Sequence, residues 1–216
     1  MSDTQKTCLI TGASRGLGHA LAQGLADAYH LILVARTVGA LEELDDLVQA
    51  AGGSATLVPL DITDRNAVRA MGHSVFERWG GVDLWCHTSI HATALTPANH
   101  IDPKDLQKSI DINLTAAQAL IESVDPLLRA KSGRAIYIRD DHATGKFFGT
   151  YGTTKAAQQR LFEHWTDEMS EAGLRVDGFT AKPMPTALRA RFFPGEDRTA
   201  LTDCQSEAAR LIKELL

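Results

Sequence analysis

The 216 residues predict a doubly wound α/β fold, a parallel sheet of about six strands with helices on both faces. Two observations carry this. Strand-like and helix-like segments alternate along the whole chain, and a glycine-rich turn joins the first strand to the first helix. A hydrophobic fraction of 44% can fill the core of one domain spanning residues 1–216, with no repeat or linker to divide it.

The elements follow in order. Lys6–Ile10 is a short apolar run, and Leu17–Tyr29 has the period of an amphipathic helix. Leu31–Ala35 is the second strand, Leu41–Ala51 the second helix and Ala55–Leu60 the third strand. Asp64–Trp79 reads as a helix opened by an aspartate cap. Val82–Cys86 is the fourth strand, and Thr88–Asp102 carries little pattern. Helical periodicity returns over Pro103–Ala130, with proline suited to a helix start. Arg134–Ile138, a long helix over Tyr151–Ala172, Arg175–Phe179 and a helical tail over Thr199–Leu216 complete the chain.

Composition removes several classes of function. The net charge is −5 and no Lys/Arg-rich run is present, which argues against nucleic acid. No stretch approaches the roughly 18 apolar residues of a membrane span, and Met1–Thr7 is too polar for a signal peptide. Cys8, Cys86 and Cys204 stand far apart and read as small buried hydrophobes, so cytoplasm is the expected compartment. His87 and His91 are four apart, but no carboxylate set accompanies them and no metal is expected.

The turn after the first strand reads Thr11-Gly12-Ala13-Ser14-Arg15-Gly16-Leu17-Gly18. Glycines there let the chain turn sharply and let a pyrophosphate approach the helix N-terminus, where free N–H groups and the helix dipole favour an anion. The spacing is GxxxGxG, placed as in a Rossmann-type nucleotide-binding fold. About twenty residues on, where a ribose 2′-position is read, stands Arg36 with no acid beside it. A guanidinium matches a 2′-phosphate, with Arg15 as a second arm, so NADP(H) is the expected cofactor; either arginine could instead be a solvated surface residue. Asp61 is placed to meet the adenine, or is a turn residue leading into a helix.

Tyr151 and Lys155 are four apart and share a helix face. A nearby ammonium favours a phenolate, which suits the tyrosine to proton exchange during hydride transfer.

From about Lys6 to Arg191 the chain resembles the short-chain dehydrogenase/reductase family. The resemblance rests on Thr11–Gly18, Asp61, Asn113 within Ile112-Asn113-Leu114, and Tyr151-Gly-Thr-Thr-Lys155. It implies that Tyr151 is the catalytic acid/base and that Lys155 holds the nicotinamide ribose and lowers the tyrosine pKa. Asn113 would support a relay water, and Thr186 would contact the carboxamide. The implied substrate is a small carbonyl or alcohol, and the implied assembly a homodimer formed through the two long helices.

The chain departs from the family in four places. His87-Thr88-Ser89-Ile90 stands where members carry Asn-Asn-Ala-Gly, and Asp140 aligns with the catalytic serine. Ala181-Lys182 replaces Pro-Gly, and the chain ends after one helix without the last strand most members carry. A serine hydroxyl donates to a substrate oxygen, whereas an ionised aspartate only accepts and opposes a phenolate. Asp140 could be protonated, or paired with Arg139, Lys146 or His142. Two functions stay open: an NADP-dependent oxidoreductase, or an impaired relative that binds NADP as a sensor or interaction module.

Overall fold

The inner strands are apolar on both sides, which lets a sheet carry helices on each face. In the computed structural model, residues 5–170 and 173–216 are described. The strands are β1 (Thr7–Thr11), β2 (His30–Ala35), β3 (Ser54–Pro59), β4 (Leu84–His87), β5 (Arg134–Arg139) and β6 (Arg175–Thr180). They form one six-stranded sheet in the order β3-β2-β1-β4-β5-β6. Every pairing is parallel.

Successive side chains of a strand point to opposite faces. Leu9, Trp85 and Tyr137 therefore pack on one face with Phe162 and Leu120. Ile10, Cys86 and Ile136 pack on the other with Leu21, Leu44 and Leu211. The helices are α1 (Gly16–Leu25), α2 (Val38–Ala50), α3 (Arg65–Trp79), α4 (Pro103–Ile110), α5 (Ala116–Lys131), α6 (Gly149–Ser170), α7 (Ala187–Phe192) and α8 (Cys204–Leu215). Among the described residues no helix is long and apolar enough to cross a membrane.

Local rules explain the helix ends. The Asp64 carboxylate accepts from the N–H groups of Asn66 and Ala67, capping α3 as expected, and Gly80 closes it in a left-handed conformation at φ 72°. Asp102 caps α4 ahead of Pro103.

Several expected boundaries differ. The first helix stops at Leu25 rather than Tyr29, because the chain must turn to bring the His30 N–H onto the Lys6 carbonyl at 2.7 Å. The helix expected over Pro103–Ala130 is two α-helices joined by a π-helical turn over Asp111–Thr115. The long helix begins at Gly149, and its expected last residues, Glu171 and Ala172, lie outside the described residues. In the tail, α8 begins only at Cys204, and α7 had no counterpart among the expected elements.

Phe162 is fully buried at the centre of one face. Its ring stacks on Tyr137 with centroids 4.6 Å apart and lies 5.9 Å from Trp85. We expect Phe162→Ala to lower unfolding stability by about 3–5 kcal/mol through lost contacts and a residual cavity. Urea denaturation monitored by circular dichroism measures this, and a shift below about 1 kcal/mol would contradict the packing described.

Candidate functional site

The chain order reverses at β1, which lies between β2 and β4, so the connections leave a crevice at the carboxyl ends of the strands. That crevice is a cleft of about 490 Å³. It runs from Arg36 and Asp61 past Gly12, Ser14, Arg15, Gly16, Leu17 and Gly18 to Asp140, Tyr151, Lys155 and Phe192. The residues expected from the sequence to bind cofactor line it, Thr186 included.

The phosphate loop is built by close backbone approach. Gly12 has φ +89°, and a Cβ there would come within 2.7 Å of the Ser89 nitrogen. A Cβ on Gly18 would lie 2.5 Å from the Gly12 carbonyl and would overlap Thr88 Oγ1. Thr88 donates from Oγ1 to the Thr11 carbonyl at 2.8 Å, so the segment that departs from Asn-Asn-Ala-Gly still straps the loop. Helix α1 opens at Arg15 with no side-chain cap and no acid in its first turn. Its free N–H groups and positive dipole end suit an anion. Arg15 and Arg36 are exposed, and neither forms an ion pair among the described residues. The Asp61 carboxylate accepts from the Thr63 N–H (3.0 Å) and hydroxyl (2.8 Å), bonds that hold it below the usual carboxylate range.

At the other end, Tyr151 is buried and donates its phenolic proton to Asp140 Oδ2 at 2.8 Å. Asp140 Oδ1 accepts the His142 backbone N–H at 3.1 Å. Of the side chains left open as partners of Asp140, namely Arg139, Lys146 and His142, none pairs with it. Arg139 pairs with Asp141 at 3.5 Å, and it is the His142 main chain, not its ring, that reaches the carboxylate. Burial first, then the Asp140 charge and hydrogen bond, push the Tyr151 phenol far above its ordinary pKa. The direction is opposite to the lowering expected from Lys155, because burial and then the Asp140 charge both disfavour the phenolate.

Lys155 is 5% exposed, and burial lowers its pKa to about 8 against the opposing pull of Asp140. Its Nζ donates to the Ile138 carbonyl and to Gln158 Oε1, each at 2.6 Å. Gln158 was not singled out from the sequence. It lies three residues after Lys155 on the same helix face, and its type and spacing were the available signal.

Because Gln158 Oε1 accepts from Lys155, its Nε2 must donate. It does so to the Asn113 carbonyl at 2.8 Å and to His87 Nε2 at 3.4 Å. His87 therefore carries its proton on Nδ1, which faces Thr11 Oγ1 at 2.9 Å. This places His87 in a buried network, and burial followed by the Lys155 charge lowers its pKa to about 3. The Asn113 side chain clamps the segment after β4: Oδ1 accepts from the His91 N–H (2.7 Å) and Nδ2 donates to the His91 carbonyl (2.9 Å). The Thr186 hydroxyl accepts from the Arg189 N–H at 3.2 Å and caps α7 at the cleft wall.

The family model described as short chain dehydrogenase matches residues 6–197. The chain belongs to the short-chain dehydrogenase/reductase family. It is an oxidoreductase of that family, and its relatives agree. A 3beta-hydroxysteroid dehydrogenase of Eggerthella lenta is 28% identical over 205 residues, covering 92% of this chain and 78% of the relative. An uncharacterized oxidoreductase of Listeria innocua is 30% identical over 212 residues, 96% of this chain and 82% of its own. Among solved structures, an alcohol dehydrogenase of Thermococcus sibiricus complexed with 5-hydroxy-NADP superposes with a TM-score of 0.85 at 25% identity. It covers 98% of this chain and 91% of its own. A metagenomic short-chain oxidoreductase in complex with NADP shares the fold, with a TM-score of 0.83 at 22% identity over 99% and 91% of the two chains.

Within this family member the buried His87 makes a measurable acid lability. Below pH 6.5 the unfolded chain takes up a proton at this histidine that the folded chain refuses until about pH 3, so stability falls as pH falls through that window. At pH 5 the loss is about 2 kcal/mol. Lys155 adds no slope there, being protonated in both states below about pH 8. His87→Gln should shrink the difference in stability between pH 7 and pH 5 by about that amount, read from urea midpoints at the two pH values. An unchanged difference would contradict a neutral, buried His87.

Proposed function

We propose that this oxidoreductase is NADP(H)-dependent and exchanges hydride with a small substrate bound in the cleft that Tyr151 and Phe192 line. The observation that carries the cofactor reading is Arg36, exposed at the end of β2 in the same cleft as the uncapped start of α1. The pyrophosphate would lie on the free N–H groups of that helix, and Arg36 with Arg15 would bracket a 2′-phosphate. The close-packed Gly12–Gly18 loop is the backbone cradle that such a group requires. The 5-hydroxy-NADP bound by the archaeal alcohol dehydrogenase supports the same reading.

When bound, the nicotinamide supplies or accepts the hydride. The residues of the chain do the rest. Lys155 uses two of its three N–H donors internally, which leaves one for a ribose hydroxyl. Asn113 fixes the His91 main chain at the cleft wall, and Tyr151 with Asp140 forms the polar pair at the reacting centre. Phe192 packs on Tyr151 with ring centroids 4.8 Å apart and helps exclude water. A second reading, an NADP-binding sensor without turnover, draws on one observation: the Tyr151 hydroxyl already donates its hydrogen bond to Asp140.

Calorimetric titration should show NADPH binding about tenfold or more tightly than NADH, the margin of one charge-assisted phosphate contact. Arg36→Asp should reverse that order by removing the partner and adding repulsion. Tighter NADH binding by the wild type would refute the cofactor assignment. Tyr151→Phe should leave NADPH affinity within about twofold while lowering turnover, since the phenol meets substrate and not phosphate. NADPH binding without consumption across a panel of carbonyl and imine substrates would favour the sensor.

A further inference from the structure

The reacting centre offers the wrong hydrogen-bonding groups for a carbonyl. A carbonyl oxygen accepts, and it gains negative charge as hydride reaches its carbon, so it needs a donor. The Tyr151 hydroxyl directs its hydrogen bond at Asp140, and Asp140 itself accepts at both oxygens. Both residues line the cleft. They present lone pairs and a carboxylate where a ketone requires an N–H or O–H.

The neighbouring cations each have a partner within the protein. Arg189 is held bidentately by Glu196, at 2.6 and 2.7 Å, and Arg139 pairs with Asp141. Arg191 donates to the Ala92 carbonyl at 3.1 Å. Lys155 gives two of its N–H groups to Ile138 and Gln158, and the third is the one assigned above to the ribose. His142 gives Asp140 its backbone N–H, which reinforces the carboxylate as an acceptor. The charge acting on the Tyr151 phenol is that of Asp140.

A reacting atom that suits this site must donate a hydrogen bond and carry positive charge. We propose that the substrate is a C=N compound, bound as the protonated iminium and reduced to an amine, with its N–H directed at Asp140 and Tyr151 Oη. The proposal deepens the nicotinamide reading above and rests on it.

The balance closes with NADPH as reductant. A neutral imine takes one proton from solvent to become the iminium. The iminium carbon then accepts a hydride, with its electron pair, from the reduced nicotinamide. The C=N π pair moves onto nitrogen, which keeps its proton and loses its positive charge. Carbon is reduced and nicotinamide oxidised, with no proton required from Tyr151.

The carboxylate favours this route over ketone reduction for a definite reason. Relative to a free neutral imine, the transition state still carries part of the positive charge, and Asp140 stabilises it. In ketone reduction the transition state carries negative charge, and Asp140 opposes it. The apolar wall points the same way. Tyr151 and Phe192, both lining the cleft, pack together and put aromatic rings beside the site, which suits a cation.

The test compares matched bicyclic probes on the full chain. With NADPH, the wild type should reduce dihydroisoquinoline with a kcat/KM about a hundredfold or more above that for tetralone, and Asp140→Ser should move the preference toward tetralone. A second readout is independent of turnover. Calorimetry with saturating NADPH should show tetrahydroisoquinoline, cationic at neutral pH, binding about tenfold or more tightly than tetralol, with Asp140→Asn erasing the difference. Equal binding of amine and alcohol, or faster reduction of tetralone by the wild type, overturns the proposal. The two readings fail separately. If NADPH does not bind, the cofactor reading falls, and the same titration on the cofactor-free chain still reads Asp140. If NADPH binds and the amine shows no advantage, only the substrate class is wrong.

Discussion

An ammonium group buried among packed side chains must be solvated by the protein itself, and at Lys155 that requirement organises the centre of the molecule. Ile138 supplies a main-chain carbonyl from the end of β5, and Gln158 supplies its amide oxygen from the next turn of α6. Once that oxygen is committed, the amide nitrogen of Gln158 can only donate, and its two protons reach Asn113 and His87. One satisfied charge thus fixes the tautomer of a histidine on β4 and, through Thr11, the end of β1. Strands β1, β4 and β5, helix α6 and the π-helical turn are joined by polar contacts in an otherwise apolar interior. Such a network tolerates no missing member, because an orphaned group there would cost more than each bond contributes.

The same economy of partners explains how the chain keeps a nucleotide cleft while departing from family motifs. A phosphate loop needs a short, fixed path and space beside its glycines, and the Thr88 hydroxyl on the Thr11 carbonyl straps that path. The change at Asp140 is different in kind. Exchanging a donor for an acceptor beside the phenol redirects the Tyr151 proton and reverses the sign of charge that the site favours.

Much of this was legible in the sequence. The alternation of apolar runs and helical periods gave a parallel sheet, because strands buried on both faces and helices buried on one carry distinct patterns. The turn Thr11–Gly18, Arg36 and the pair Tyr151 and Lys155 are local spacings, and local spacings survive into the fold. Asp140 is expected in the serine position from the resemblance to the family, and the structure puts it beside Tyr151. What the sequence did not reveal was short or long-range. Helix α7 has six residues, too few for a period to show, and the π-helical turn inserts into a pattern that reads as one helix.

The tertiary structure alone decided which partner each polar atom takes. Gln158 and His87 are 71 residues apart, and their contact follows from the packing of α6 against the sheet, not from any spacing along the chain. Likewise, Asp140 could have paired with a neighbouring cation. Its carboxylate lies beside Tyr151 because β5 and α6 deliver both residues to one point, 11 positions apart in sequence. Sequence specifies which groups are available and on which face of an element they lie. A hydrogen bond depends on ångström distances between elements, and those exist only once the core has closed.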